Sequence, residues 1–339
     1  MVSRADALTR TSAAPSLVSF AQNFPSSYTE QWNVSMQRLL SSQLVIEAAY
    51  VGSNSIKLPV GRDINQPLPG PGPLPPRRRF PAFGTITRFE PMGTSNYHSL
   101  QMKAEKRYSS GLAFLASYTF GKALDLYQQR GASPATGRAQ NNLDLSTERA
   151  RTANDVRQRL ALSGTYQLPA FTPNRVAGAL LSGWEMSCIL ALQSGLPFTV
   201  AVGFDPSNTG LLGTDARPNR LGRGDLPGSE RTPNRWFNAA DFAVQAANSF
   251  GNSGRNMLDG PGFVNLDLGL NKRIRLTEKL YLQFRAEAFN LFNTPQFDQP
   301  GGGTFETAGR PQIGLPGATV ISRTIHDARQ IQFGMKLVF

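Results

Sequence analysis

The residues of this sequence that could do chemistry are few and widely separated. The chain of 339 residues contains two histidines, His98 and His326, and neither belongs to an HExxH motif or to a cluster of metal ligands. Segment 205–210, DPSNTG, begins like a calcium loop, but Ala216 stands where a bidentate glutamate would complete it. GxSxG, Walker A and GxGxxG motifs are absent. We therefore expect no enzymatic activity, no resident metal and no cofactor.

Charged side chains that could act as general acids or bases follow a period of two instead. Residues two apart lie on the same face of a strand, where opposite charges can pair. In segments where polar and apolar residues alternate, we call the two sets of positions the polar phase and the apolar phase. Six charged residues lie in the polar phase of their segments: Lys103, Glu105, Arg107, Arg285, Glu287 and Lys336. We predict that they form structural ion pairs on a polar face rather than a catalytic site.

The same period of two runs through the whole chain and predicts an all-β fold. Apolar residues alternate with polar ones in about nine segments, each near the 9 to 11 residues that a tilted membrane-spanning strand needs. Soluble strands are usually shorter, at about 5 to 6 residues. The predicted strands are 28–40, 44–51, 97–108, 112–120, 160–168, 184–193, 264–271, 280–287 and 330–339.

The connections between these strands differ sharply in length. Tight turns are predicted at 41–42, 109–111 and 277–279, with a modest link at 169–182. The other connections, 59–96, 122–155, 195–262 and 293–329, are long and rich in Gly and Pro. Loops of this length are uncommon in compact soluble domains but suit a barrel with short periplasmic turns and long extracellular loops. We therefore predict antiparallel transmembrane β-barrel strands.

Charges and aromatic residues in the apolar phase support a barrel whose tight turns face the periplasm and whose long loops face the outside. Arg38, Lys106 and Lys272 lie close to tight turns, where long side chains can reach the membrane interface. Aromatic residues of this phase fall into a band near the long loops and a band near the turns, as in the aromatic girdles of membrane barrels. The six polar-phase charges would then face the barrel lumen. The two bands are Tyr28, Trp32, Tyr50, Tyr118 and Phe120, and Tyr108, Tyr166, Trp184 and Phe339.

The net charge of +12 permits other classes of protein. A soluble basic β-protein, such as a sandwich or a propeller, shares the alternation, but the lengths of the strands and loops disfavour it. Nucleic acid is not expected as a partner because the basic segments 77–79 and 217–235 lack interleaved aromatic residues or a recognised module. Contact with an anionic polysaccharide, steering of an anionic substrate, and plain solvated charge remain open for these arginines. The single cysteine, Cys188, excludes an internal disulfide.

Four strings resemble the C-terminal barrel strands of TonB-dependent outer-membrane receptors, most closely the Oar-like subgroup. They are NYHSLQMKAEKRYSSGLAFLASYTFGKALD (96–125), NDVRQRLALSGTYQLP (154–169), LYLQFRAEAFNLFNTPQF (280–297) and RQIQFGMKLVF (329–339). The resemblance implies a 22-stranded barrel in a Gram-negative outer membrane, filled by a plug and taking up a substrate with energy from TonB. The runner-up function is a structural or adhesive outer-membrane barrel that transports nothing.

The resemblance also predicts the place of this chain within such a receptor. About nine strands counted back from Phe339 make residues 28–339 the C-terminal part of the barrel and residues 1–27 the remnant of an extracellular loop. We expect the export signal, the plug and the contact with TonB to lie outside this sequence. The implied partners are outer-membrane lipid, the barrel assembly machinery and an unidentified extracellular substrate. The family's assembly signal would correspond to the alternating residues Ile331, Phe333, Met335, Leu337 and Phe339.

Overall fold

The computed structural model describes residues 14–126, 139–169, 178, 181–211, 215–277, 280–301 and 311–339. The strands in these residues are β1 (Leu17–Phe20), β2 (Tyr28–Ser41), β3 (Leu44–Asp63), β4 (Ile86–Ser109), β5 (Leu112–Asp125), β6 (Ala150–Arg151), β7 (Gln158–Gln167), β8 (Trp184–Gln193), β9 (Pro197–Phe198), β10 (Asn219–Arg220), β11 (Phe242–Ala243), β12 (Leu258–Asp259), β13 (Phe263–Arg275), β14 (Tyr281–Phe289) and β15 (Gln330–Val338). Helical segments are short: α1 (Leu74–Arg77) and the 3₁₀ turns Ser146–Glu148, Gly228–Glu230 and Ala239–Asp241. None of the helices within the described ranges has the length and hydropathy needed to cross a membrane.

Nine long strands form one antiparallel sheet, as the alternation predicts. Their order is β2-β3-β4-β5-β7-β8-β13-β14-β15, so each strand pairs with its neighbours along the chain. The short strands β1 and β6 attach to β4 and β5. Within the described residues β2 and β15 each pair with one strand and not with each other, so the sheet has two open edges.

The register joins the apolar phases of all nine strands into one continuous face. Paired residues lie side by side on the same face of a sheet, so a single row can be followed from strand to strand. One such row runs Met36, Ala48, Met102, Tyr118, Leu160, Leu192 and Val264. A second runs Tyr166, Met186, Leu270, Ala286 and Phe333. We call this the outer face, and the opposite, polar face the inner face.

Two strands are much longer than the sequence pattern indicates. β3 has 20 residues and β4 has 24, so the predicted loop 59–96 contains the far end of a hairpin. The register shifts near Leu58, where Lys57 has a φ of 56°, and Pro59 stands opposite Pro91. These bulges break the alternation, which is why the strand ends could not be recognised. β1, within the predicted loop remnant 1–27, runs parallel to residues 86–89 of this extension.

The tight turns lie at one end of the sheet. Ser110 and Gly111 have φ angles of 50° and 79°, which gives the type I′ turn that suits a two-residue hairpin. The first turn falls one residue later than predicted, because β2 ends at Ser41 and β3 begins at Leu44. Lys106 reaches its turn, where Nζ donates to the Ser109 carbonyl at 3.2 Å. Residues 278–279 of the third predicted turn and most of the link 169–182 lie outside the described residues.

The described parts of the long connections are folded, and they contain the apolar core found in the described residues. We call the described residues of 59–96, 122–155, 195–262 and 293–329 the loop layer. Its largest apolar cluster joins three of the short strands with a residue from each of three further segments: Phe198, Val200, Phe237, Phe242, Leu258 and Ile313. Both faces of the long strands are, by contrast, largely accessible, so the interior of this protein lies in the loops rather than in the sheet.

Candidate ligand groove between the sheet and the loop layer

The structure places all six predicted polar-phase charges on the inner face. Lys103 Nζ lies 2.8 Å from Glu105, and Arg285 Nη2 lies 3.0 Å from Glu287. The two pairs do not meet, because four strands separate β4 from β14. Arg107 lies on the inner face beyond Glu105, and Lys336 stands opposite Gln283 in the register. Four of the six thus form two ion pairs on the inner face, whereas no ion pair of Arg107 or Lys336 occurs among the described residues.

Two adjoining cavities lie on the inner face where the sheet meets the loop layer. A cavity of about 470 Å³ opens between the loop ends of β8 and β13 and the segments 296–299 and 325–326. A second cavity of about 240 Å³ continues along the inner face and shares Phe263, Gln296 and His326 with the first. Together they form what we call the groove, which runs from the loop layer onto the inner face.

Local hydrogen bonds hold the walls of the groove. Gln296 pairs with both backbone groups of Val264, accepting from its N–H at 3.3 Å and donating to its carbonyl, so it extends the sheet by one residue. Asn290, with a φ of 51°, turns the chain after β14, and its N–H donates to Asp267 at 2.9 Å. Arg323 donates to Asp298 at 2.6 Å across the loop layer. The polar groups of Gln296, Asn290 and Arg323 therefore position the lining and are not available to a ligand.

The remaining lining combines aromatic rings with amide and carboxylate groups. Phe263 and His326 meet edge to face with ring centroids 5.4 Å apart. Arg323, which is not in the lining, neutralises Asp298, whereas Asp267 and Asp327 have no cation among the described lining residues. Aromatic faces beside amides and carboxylates suit a neutral or cationic ligand that carries hydroxyl or amine groups. Gln193, Gln299, Asn265, Phe289 and Phe297 also line this surface.

The basic run 77–79 is mainly structural. Arg77 donates to the Asn208 carbonyl at 2.9 Å, and Arg78 donates to the Phe83 carbonyl at 3.0 Å. Arg79 lies over the ring of Phe80, 5.5 Å from its centroid. Two of these three guanidinium groups therefore fasten one long loop to itself and to another, which neither surface steering nor plain solvation describes.

In the second basic segment, 217–235, two arginines are likewise held in ion pairs. Arg217 is 2% exposed and forms an ion pair with Glu148 at 2.9 Å, so it belongs to the interior of the loop layer. Arg223 is exposed and pairs with Asp225 at 3.0 Å. Hydrogen bonding from Arg223 holds the pKa of the Asp225 carboxyl below its usual value. Neither residue fits the hypothesis that this segment presents a free basic surface.

The segment that begins like a calcium loop forms a clasp between loops. One oxygen of the Asp205 carboxylate accepts from the N–H groups of Thr209 and Gly210 at 2.8 Å each, and the other accepts from the Ser207 hydroxyl. Asn208 Nδ2 then donates to the carbonyls of Gly70 and Gly72 at 2.8 Å. The turn interpretation of this segment therefore has a physical basis, since the backbone already occupies the carboxylate.

These features define a class of protein: an antiparallel sheet with one continuous apolar face, a polar face that carries a groove, and folded loops at one end. The sequence profile of a family described as the outer membrane β-barrel domain matches residues 2–332. The chain belongs to this family, whose place is the outer membrane of Gram-negative bacteria. No curated protein matches the sequence.

Several solved structures are similar at low identity. The outer membrane transporter YddB from Escherichia coli is 10% identical with a TM-score of 0.47, and the match covers 96% of this chain and 34% of that chain. The siderophore receptor PiuA from Acinetobacter baumannii is 9% identical with a TM-score of 0.46, covering 91% and 28%. The FrpB iron transporter from Neisseria meningitidis is 10% identical with a TM-score of 0.42, covering 95% and 32%. The chain thus spans about a third of the length of these proteins.

Proposed function

We propose that this chain is the C-terminal barrel section of a TonB-dependent uptake receptor of the Oar-like subgroup. The observation that carries the proposal is the groove, which connects the folded loop layer with the polar inner face. A groove in this position offers a ligand arriving from outside a path toward a lumen. The four strings that resemble receptor strands and the membership in an outer-membrane barrel family support the same function.

In this proposal the inner face lines the lumen of a larger barrel. The pairs Lys103–Glu105 and Arg285–Glu287, together with Arg107 and Lys336, would keep that lumen polar. The open edges of β2 and β15 would pair with the remaining strands, because unpaired backbone groups in a bilayer cost several kcal/mol each. A plug and the TonB complex are the partners that energy-coupled uptake would need.

Depletion of compounds from the growth medium tests uptake of a substrate whose chemical identity is still open. We expect cells that express the intact protein to remove a class of small molecules from the medium. The loss should disappear when either the gene or TonB is inactivated. Replacing His326 with Ala should slow the depletion about two- to tenfold, since one ligand contact contributes about 0.5 to 1.5 kcal/mol.

The exposed loop-layer substitution Leu221→Ala is the matched control and should leave the depletion unchanged. A medium that is identical with and without the gene would contradict the proposal. That result would favour the runner-up, a structural or adhesive barrel. Depletion that requires the gene but not TonB would equally contradict energy-coupled uptake.

A further inference from the structure

The outer face carries a cluster of aromatic rings at its loop end. Trp32 and Tyr50 both face His98, with ring centroids 6.0 and 6.2 Å apart, and the Tyr50 hydroxyl lies 2.7 Å from His98 Nδ1. Phe120 lies two strands from Tyr50, in the same row of the register. These rings lie at the loop-end boundary of the apolar face, where a membrane interface would be.

Gly52 allows this cluster to form. It lies between Trp32 and His98 in the row Trp32, Gly52, His98, Lys122. A Cβ atom at position 52 would lie 2.3 Å from the Trp32 indole nitrogen, so the indole occupies the space that a side chain at position 52 would need. Trp32 thereby reaches across one strand and brings the aromatic cluster up to the cationic end of the row.

Two permanent cations adjoin these rings. Lys122 follows His98 in the row and is exposed, and no ion pair to it occurs among the described residues. The Arg157 guanidinium lies 5.0 Å from the centroid of Phe120 and donates to the carbonyl of Gly121, the residue before Lys122, at 3.0 Å. The Asp155 carboxylate accepts from the Ala123 N–H at 2.7 Å and is already paired with Arg151, and Glu30 lies three strands from Lys122. The patch formed by His98, Lys122 and Arg157 is therefore cationic.

An exposed apolar stripe runs from this patch toward the turns. Val34 and Met36 on β2 are 72% and 74% exposed, and Leu100 and Met102 on β4 are exposed on the same face. Cations at the loop end of the outer face, with apolar side chains between them and the turns, match an amphiphile with an anionic headgroup and acyl chains. Arg and Lys bind phosphate oxygens through charge-assisted hydrogen bonds.

We propose that this surface binds a phosphorylated lipid of the outer leaflet, with its phosphate on Lys122 and Arg157 and its acyl chains along Val34, Met36, Leu100 and Met102. A free phosphate would satisfy the cations and leave the apolar stripe uncovered, so the lipid accounts for both halves of the surface. The inference concerns the outer face and holds whether or not the protein transports a ligand.

Native mass spectrometry of the intact protein in a neutral detergent, with added lipid A as the probe, tests this site. We expect lipid A to bind and a dephosphorylated lipid A to bind at least tenfold more weakly. The double variant K122Q/R157Q should lose about thirtyfold in affinity. This follows from about fivefold for each cation removed, because a basic residue near an anionic surface contributes about 1 kcal/mol. Inorganic phosphate at the same concentration should not displace the lipid.

Arg38→Gln is the matched control, because Arg38 lies in the same phase of β2 but at the turn end of the sheet. It should bind lipid A as the parent protein does. If the double variant fails to fold, as judged by loss of heat-dependent mobility on a gel, Lys122→Gln alone should show the fivefold loss. Unchanged binding in the cation variants, equal losses in Arg38→Gln, or full displacement by phosphate would each overturn the proposal.

Discussion

Replacing Glu148 with Gln is expected to loosen the loop layer more than a single substitution on the exposed surface does. Glu148 is 2% exposed and pairs with Arg217, while Arg255 lies 4.0 Å from its carboxylate and also binds its backbone carbonyl at 2.9 Å. Arg255 in turn pairs with Asp125 at the end of β5. This buried network joins the loops to the sheet. Neutralising its central carboxylate leaves the buried Arg217 guanidinium without its ion-pair partner and removes one of the two carboxylates near Arg255.

The expected cost is about 3 to 5 kcal/mol of local stability, the usual penalty for removing one partner of a buried ion pair. Hydrogen exchange of the intact protein in detergent measures it directly. Amides in segments 140–155 and 215–258 should exchange at least about a hundredfold faster, since 1.4 kcal/mol corresponds to a factor of ten. Amides in the middle of the long strands should keep their protection.

Asp225→Asn is the matched control for this experiment. It removes the carboxylate of an ion pair whose arginine, Arg223, is 85% exposed, so the expected change is about 0 to 1 kcal/mol. Unchanged exchange in Glu148→Gln would mean that the buried charges do not hold the loops. Equal effects of the two substitutions would mean the same.

Deleting Phe339 is expected to reduce severalfold the amount of the protein in the outer membrane. Ile331, Phe333, Met335 and Leu337 lie on the exposed outer side of β15, and Phe339, at 96% exposure, follows in the same phase. We propose that this alternating strand with its terminal aromatic residue is read by the barrel assembly machinery. Among the described residues β15 pairs with β14 alone, so before any further strand pairs with it, its other edge is open to such recognition.

Quantification of the protein in outer-membrane fractions, at matched synthesis rates, checks this prediction. Phe339→Tyr keeps the aromatic ring and should restore the normal amount. Phe292→Ala, which removes another exposed aromatic ring after β14, should have no effect. Normal insertion of the deletion variant would show that the terminal pattern is an ordinary apolar strand and no assembly signal.

The sheet could be predicted from sequence because its information is local. An alternating segment such as 97–108 assigns its own strand and its own faces, and the tight turn at 110–111 fixes the neighbour. The strand ends beyond Ser55 and before Ser95 could not be read in this way. There the bulges at Leu58 and the prolines interrupt the alternation while the backbone pairing continues.

The loop layer and the groove could not be predicted, because their contacts join residues far apart in the chain. Arg217 and Glu148 are 69 residues apart, and Gln66 and Thr209, which share a hydrogen bond at 3.3 Å, are 143 apart. A sequence shows that these residues are polar, but not which of them will be buried together. Sequence alone therefore favours surface charge for the loop arginines, although Arg217 is an interior residue.

The central claim is that the apolar phase of the sheet faces lipid and the polar phase faces a water-filled interior. A scan of single spin-labelled cysteines along β4, from Leu100 to Glu105 in a Cys188→Ser background, tests it in membranes. Labels at positions 100, 102 and 104 should collide preferentially with oxygen dissolved in the bilayer. Labels at 101, 103 and 105 should collide preferentially with a water-soluble nickel complex. The same reagent preference at all six positions, or alternation in the opposite phase, would contradict the claim.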